Sequence, residues 1–164
     1  MRRALLALLV AVASAAAVAC TATRLHAQSA PHPSPYAGRV DEPAASFMHA
    51  RWQPSMNERA YCVKAWHVEG EGARRVLVVT EVDTAKTIRA DTLSVTADCG
   101  PLPLCHTHPA KYMGLSGADF GSGVLEQRQP FICAQWFWQA YTFGVLWDRV
   151  DAALLAKRAT AGAP

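Results

Sequence analysis

The sequence predicts one domain of α+β or mixed α/β class, built in layers of strands and helices. Three observations carry this. A series of β-branched and aromatic stretches runs through the middle of the chain, as strands require. Segments with helix start signals open, interrupt and close that series. At 164 residues, the chain is long enough for one ordinary core and too short for several.

The N-terminus stands apart from the domain. "MRRALLALLVAVASAAAVAC" places two arginines before an uncharged run from Ala4 to Ala19, the layout of a signal peptide over residues 1–19. The apolar run is short for a membrane span, which needs about 20 residues. "AAVAC" resembles the lipobox of bacterial lipoproteins, with Ala17 where leucine is preferred, and would make Cys20 a lipidation site. A cut after Ala27 is the other reading and would release the domain, so the expected location is the bacterial periplasm or cell envelope. Residues 20–43 are rich in Pro, Ala and Ser without periodicity and read as a linker in which His26 and His32 are solvated.

From residue 44 to 159 the elements follow in order. "DEPAASFMHARW" has acidic residues and Pro ahead of Ala44, Phe47, Met48 and Trp52, a helix start with helical apolar spacing. "RAYCVKAWHV" and "RRVLVVTEV", joined by "EGEGA", read as a hairpin, and "IRADTLSVTA" as a third strand. "PLCHTH" is expected to be a short buried strand ended by Pro109. Ser116 then caps a helix reaching about Gln127, with Asp119 at the third helical position. "PFICAQWFW" and "YTFGVLW" are two more strands, and "DRVDAALLAKRA" a closing helix with Asp148 at its start. Residues 160–164 are expected to be a disordered tail.

Charge excludes one function class. The formal charge of +3 falls to +1 when the leader takes Arg2 and Arg3 away, and no basic run with interleaved aromatics remains for nucleic acid. Besides Cys20 there are Cys62, Cys99, Cys105 and Cys133, which allow three pairings. Cys99 and Cys105, flanking "GPLPL", are the first pair expected to bridge, with buried free thiols the alternative.

The chemistry concentrates in "LCHTHPAKYMGLSGADF". On a strand, side chains alternate faces, so His106 and His108 share one side while Cys105 and Thr107 take the other. That geometry argues against a site combining Cys105 with His106. Two imidazoles from a strand end and the Asp119 carboxylate from the next helix's first turn suit one zinc ion, and three protein ligands leave a fourth position for water. Separately, an H-x-H and an S-x-x-D capping box are commonplace.

The run His106-x-His108-Pro109, six residues, then Ser116-x-x-Asp119 resembles the JAMM motif of the JAB1/MPN/Mov34 metalloproteases and isopeptidases, matching all five defining positions at the family's spacing. The resemblance spans about residues 44 to 148 and implies a cytidine-deaminase-like mixed sheet flanked by helices. It also implies zinc ligation by His106, His108 and Asp119, and oxyanion assistance by Ser116. The family's general base is a glutamate on an upstream strand, in a pattern like E-x-C-G-x-L. Here "ERAYCV" offers Glu58 with Val63 in the last place, but Ala60 and Tyr61 replace the Cys and Gly, and Cys62 is displaced. Glu69, Glu71 and Glu81 are weaker candidates, in or near the presumed hairpin.

The expected activity is hydrolysis of a peptide or isopeptide amide bond by a zinc-activated water, with a glutamate base. An exported metal-binding or scaffolding module without turnover is the alternative. In "WFWQAYTFGVLW", strand alternation turns at least one of Trp136, Phe137 and Trp138 outward, where it could line a substrate groove.

Overall fold

The computed structural model describes residues 33–52, 57–89, 99–109, 113–120, 129–137 and 140–162. They form a mixed α/β domain with one six-stranded sheet of order β1-β3-β2-β4-β5-β6 and helices on both faces. The strands are β1 (Gly38–Val40), β2 (Asn57–Glu69), β3 (Val76–Arg89), β4 (Leu104–Thr107), β5 (Phe131–Trp136) and β6 (Ala140–Val145). The helices are α1 (Glu42–His49), α2 (Gly117–Asp119) and α3 (Trp147–Ala161).

The expected hairpin is present as β2 and β3, antiparallel and bulged in three places. Its turn needs glycine at Gly70, where φ is 72° and a Cβ would stand 2.5 Å from the Arg74 carbonyl oxygen. Strand β4 lies between β2, antiparallel, and β5, parallel. All four of its residues are buried, as a strand covered on both faces requires. Sequence expectations for residues 1–32, most of the third strand at 90–98, and the helix beyond residue 120 lie outside the described residues, as do Cys20 and Trp138. Among the described residues, no helix is long and apolar enough to cross a membrane.

The domain's edges depart from the sequence reading. Gly38–Val40, in the expected linker, is a strand paired in parallel with β3, and α1 begins at Glu42. Three residues are too few to show periodicity, and pairing with β3 is what fixes them. Gly38 also lies flat against Phe143, where any Cβ would collide with the ring. At the other end α3 runs to Ala161, so the expected tail begins inside a helix.

Alternation along the strands sorts the core into two layers. One face carries Tyr61, Val63, Cys105, Phe131, Cys133, Phe143 and Val145, covered by Met48 of α1 and by Trp147 and Val150 of α3. The opposite face carries Ala60, Cys62, Leu104 and Ile132, with Leu115 and Leu146 packed against them. Here α2 approaches closely because β6 presents Gly144, whose absent Cβ would lie 2.9 Å from Phe120 and 3.1 Å from Leu115.

The cysteines are paired differently from the sequence expectation. Cys105 does not bridge Cys99; the disulfides are Cys62–Cys99 and Cys105–Cys133. The reason is facing. Cys62 points into the same layer as Cys99, whereas Cys105 points through the sheet and stands level with Cys133 on β5. Proximity in sequence across "GPLPL" does not overcome that alternation.

Candidate metal centre

The site sits on the α2 side of the sheet. Cross-strand register sets Ala60, His106, Ala134 and Thr142 in one row across β2, β4, β5 and β6. Two alanines flank His106, so the imidazole stands clear of its neighbours and can meet α2. His108 lies just past β4, and its backbone N–H continues the ladder by donating to the Gln135 carbonyl (2.9 Å). That bond keeps the alternation in phase and turns both rings the same way, as the H-x-H reading expects.

The rings converge on Asp119. Nε2 of His106 lies 2.8 Å from Nε2 of His108 and 3.0 Å from Oδ1 of Asp119, while His108 Nε2 lies 3.3 Å from Oδ2. Both histidines and Asp119 are buried. The carboxylate is aimed by a complete capping box: Ser116 N–H donates to Asp119 Oδ2 (2.5 Å), and Asp119 N–H donates to Ser116 Oγ (3.3 Å). The capping reading of S-x-x-D holds and is compatible with a ligand role, since the cap orients the carboxylate that faces the imidazoles. Ser116 itself is exposed at the mouth of the site.

Electrostatics follow from this convergence. Burial opposes charge on Asp119, but hydrogen bonds from His106 and His108 and the Ser116 N–H outweigh it and hold the carboxyl far below its usual range. Burial likewise pushes His106 down, yet the Asp119 hydrogen bond and charge, helped by Glu58 and the Cys133 backbone, leave its pKa raised.

The donor set fits a metal ion. Two facing ring nitrogens and a carboxylate offer lone pairs toward one point, which a cation between them could share as a nitrogen- and oxygen-liganded site. One potential ligand atom from each of the three residues lies within 4.8 Å of the others. Tetrahedral zinc with bonds of roughly 2.0–2.1 Å spaces its ligand atoms about 3.3–3.4 Å apart. The observed separations of 2.8 to 3.3 Å need only a small spreading to match.

Glu58 belongs to the same neighbourhood without joining the cluster. Continuing the β2–β4 register two residues beyond the Ala60–His106 pair sets Glu58 opposite His108, on the site face. The side chain is half-buried. Its carboxyl is raised above the ordinary value, chiefly by burial, with the His106 and His108 charges pulling it down and Asp119 pushing it up. The other glutamates are elsewhere. Glu69 lies at the hairpin end of β2, bonded to Arg39 (2.6 Å) and His67; Glu71 lies within the hairpin turn; Glu81 is exposed on β3.

Sequence reasoning missed the backbone that positions these groups. The Gln135 carbonyl fixes His108, and Thr107 Oγ1 accepts from Arg59 N–H (2.9 Å), tying the strand of Glu58 to that of the histidines. Only the register reveals either contact.

Compared with protein-family models, curated proteins and solved structures, the chain has no match.

Proposed function

We propose that the chain is a zinc-dependent metallohydrolase of JAMM type that cleaves a peptide or isopeptide amide bond. The observation that carries this reading is the convergence of His106, His108 and Asp119, with a separate carboxylate, Glu58, within electrostatic reach on the same face. The three ligand candidates are the residues that would hold zinc. When bound, zinc supplies a Lewis acid that makes water a usable nucleophile near neutral pH.

The remaining residues have distinct tasks. Glu58 is buried enough for its pKa to rise, which makes it a better proton acceptor than an exposed carboxylate, and it suits taking a proton and passing it to the departing amine nitrogen. Ser116 Oγ accepts from Asp119 N–H, which leaves its own proton to donate to the oxygen that gains charge. Ala60 and Ala134, both buried, form an apolar floor whose low polarity strengthens these interactions. Two disulfides among the described residues support action in an oxidising compartment, here the periplasm or cell envelope after export.

Metal analysis of the wild type and His108→Ala, with a proteomic survey of cleaved envelope peptides, tests the reading. Roughly one zinc per chain, lost in the variant, and cleavage only by the wild type are expected. Glu58→Gln should keep its zinc and lose about 10²–10⁴ in kcat. Full zinc occupancy without cleavage of any peptide would instead favour a binding module without turnover.

A further inference from the structure

The β5–β6 hairpin carries aromatic side chains that the chemistry above does not use. Trp136 ends β5 on the site face. Its ring nitrogen donates to Thr142 Oγ1 (3.0 Å), and Thr142 is level with Ala134 and His106 in the row that floors the metal cluster. The bond from His108 to Gln135 puts Trp136 next to His108 in register, one strand spacing away, about 4.8 Å. The next residue, Phe137, leaves the strand at φ 49°, a left-handed conformation that a bulky side chain adopts at a cost. Its ring lies against Trp136 (centroids 5.1 Å apart) and is 45% exposed. On the α2 side, Gly114 backs onto Thr142, and its neighbour Met113 is 72% exposed.

Glu58 bounds the cluster on the β2 side, and the apolar hairpin bounds it on the β5 side. Phe137 packs one side of its ring on Trp136 and leaves the rest to solvent, so the two side chains together extend an apolar surface from the strand position level with His108. We propose that Trp136 and Phe137, rimmed by Met113, form a specificity wall that receives a large apolar side chain of an extended peptide whose backbone lies over His106 and His108. The inference rests on the hydrolase reading for the choice of a peptide as occupant, and the apolar surface itself does not.

The test is selection of binders from a random-sequence peptide library by the zinc-loaded full chain carrying Glu58→Gln, with tryptophan fluorescence as the second readout. Bound peptides should be enriched in Phe, Leu, Met or Trp at one position and should perturb the emission. Phe137→Gly and Trp136→Ala should each weaken the selected peptides roughly tenfold, by loss of buried apolar area. Phe137→Gly should leave zinc content and thermal stability unchanged or improved, because glycine takes a positive φ readily. Peptides bound without apolar enrichment, no peptide bound, or full affinity in both variants would overturn the wall. Apolar selection by a wild type that never cleaves would overturn the hydrolase reading and leave the wall standing.

Discussion

At the scale of single residues, Asp119 and His106 each favour the other's charged form in a setting where burial disfavours charge on either alone. In the metal-free chain, the lowered Asp119 pKa contributes stability above the ordinary carboxylate range, near pH 4, and loses it only in strong acid. The raised His106 pKa works the other way. Its contribution is full below about pH 6.5 and disappears as pH rises through the raised value. Chelator-stripped protein is therefore expected to melt at a lower temperature at pH 8 than at pH 6, and Asp119→Asn to flatten that dependence. Equal slopes in calorimetric scans of the two proteins would sink the pairing. Metal binding has the opposite trend, because imidazoles must release protons to ligate, so zinc affinity should climb over the same interval. Ser116→Ala separates two tasks: it removes the acceptor for Asp119 N–H, costing about 1 kcal/mol of stability. It should also remove a proton donor worth around 10²–10³ in kcat. A stability loss with unchanged turnover would confine Ser116 to capping.

At the scale of elements, β4 decides the site. Its neighbours are locked on both sides, since Cys62–Cys99 ties β2 to the loop ahead of β4 and Cys105–Cys133 ties β4 to β5. Loops of these lengths, 37 and 28 residues, predict roughly 3–4 kcal/mol of stabilisation per bridge from the restricted unfolded chain. The paired variant Cys105→Ala/Cys133→Ala should show that loss in denaturant titration, and non-reducing peptide mapping should recover the two stated linkages. Gly144→Ala probes the other contact that frames the site. A Cβ there meets Phe120 and Leu115, which bracket Ser116 and Asp119, so about 1–3 kcal/mol of stability and some zinc affinity should go together. These elements also mark where sequence stops being informative. The H-x-H face, the Ser116 cap and the hairpin were legible because each depends on local periodicity or on fixed turn residues. The disulfide pairing and β1 were not, because both are set by which strand lies alongside. Glu58 lay between these cases: its residue type fitted, but its place beside His108 follows from the β2–β4 register.

At the scale of the molecule, the sheet divides labour between its faces. The layer under α1 and α3 holds most of the large apolar side chains, and the layer under α2 holds the His106–His108–Asp119 cluster, with His106 flanked by Ala60 and Ala134. The bulk of the apolar core and the candidate site are therefore on opposite faces. Phe131→Ala, on the side away from the cluster, should cost about 3–5 kcal/mol while folded molecules keep their zinc stoichiometry, as calorimetry and metal analysis would show. The two faces meet in one short strand, where cysteine and histidines alternate. A slip of one position would turn both imidazoles into grease and push a sulfur toward the α2 side. The covalent link from Cys105 to its level partner on β5 forbids that slip. It works as a proofreading device: a misaligned chain cannot close it, and a chain that has closed it has its histidines already facing Asp119.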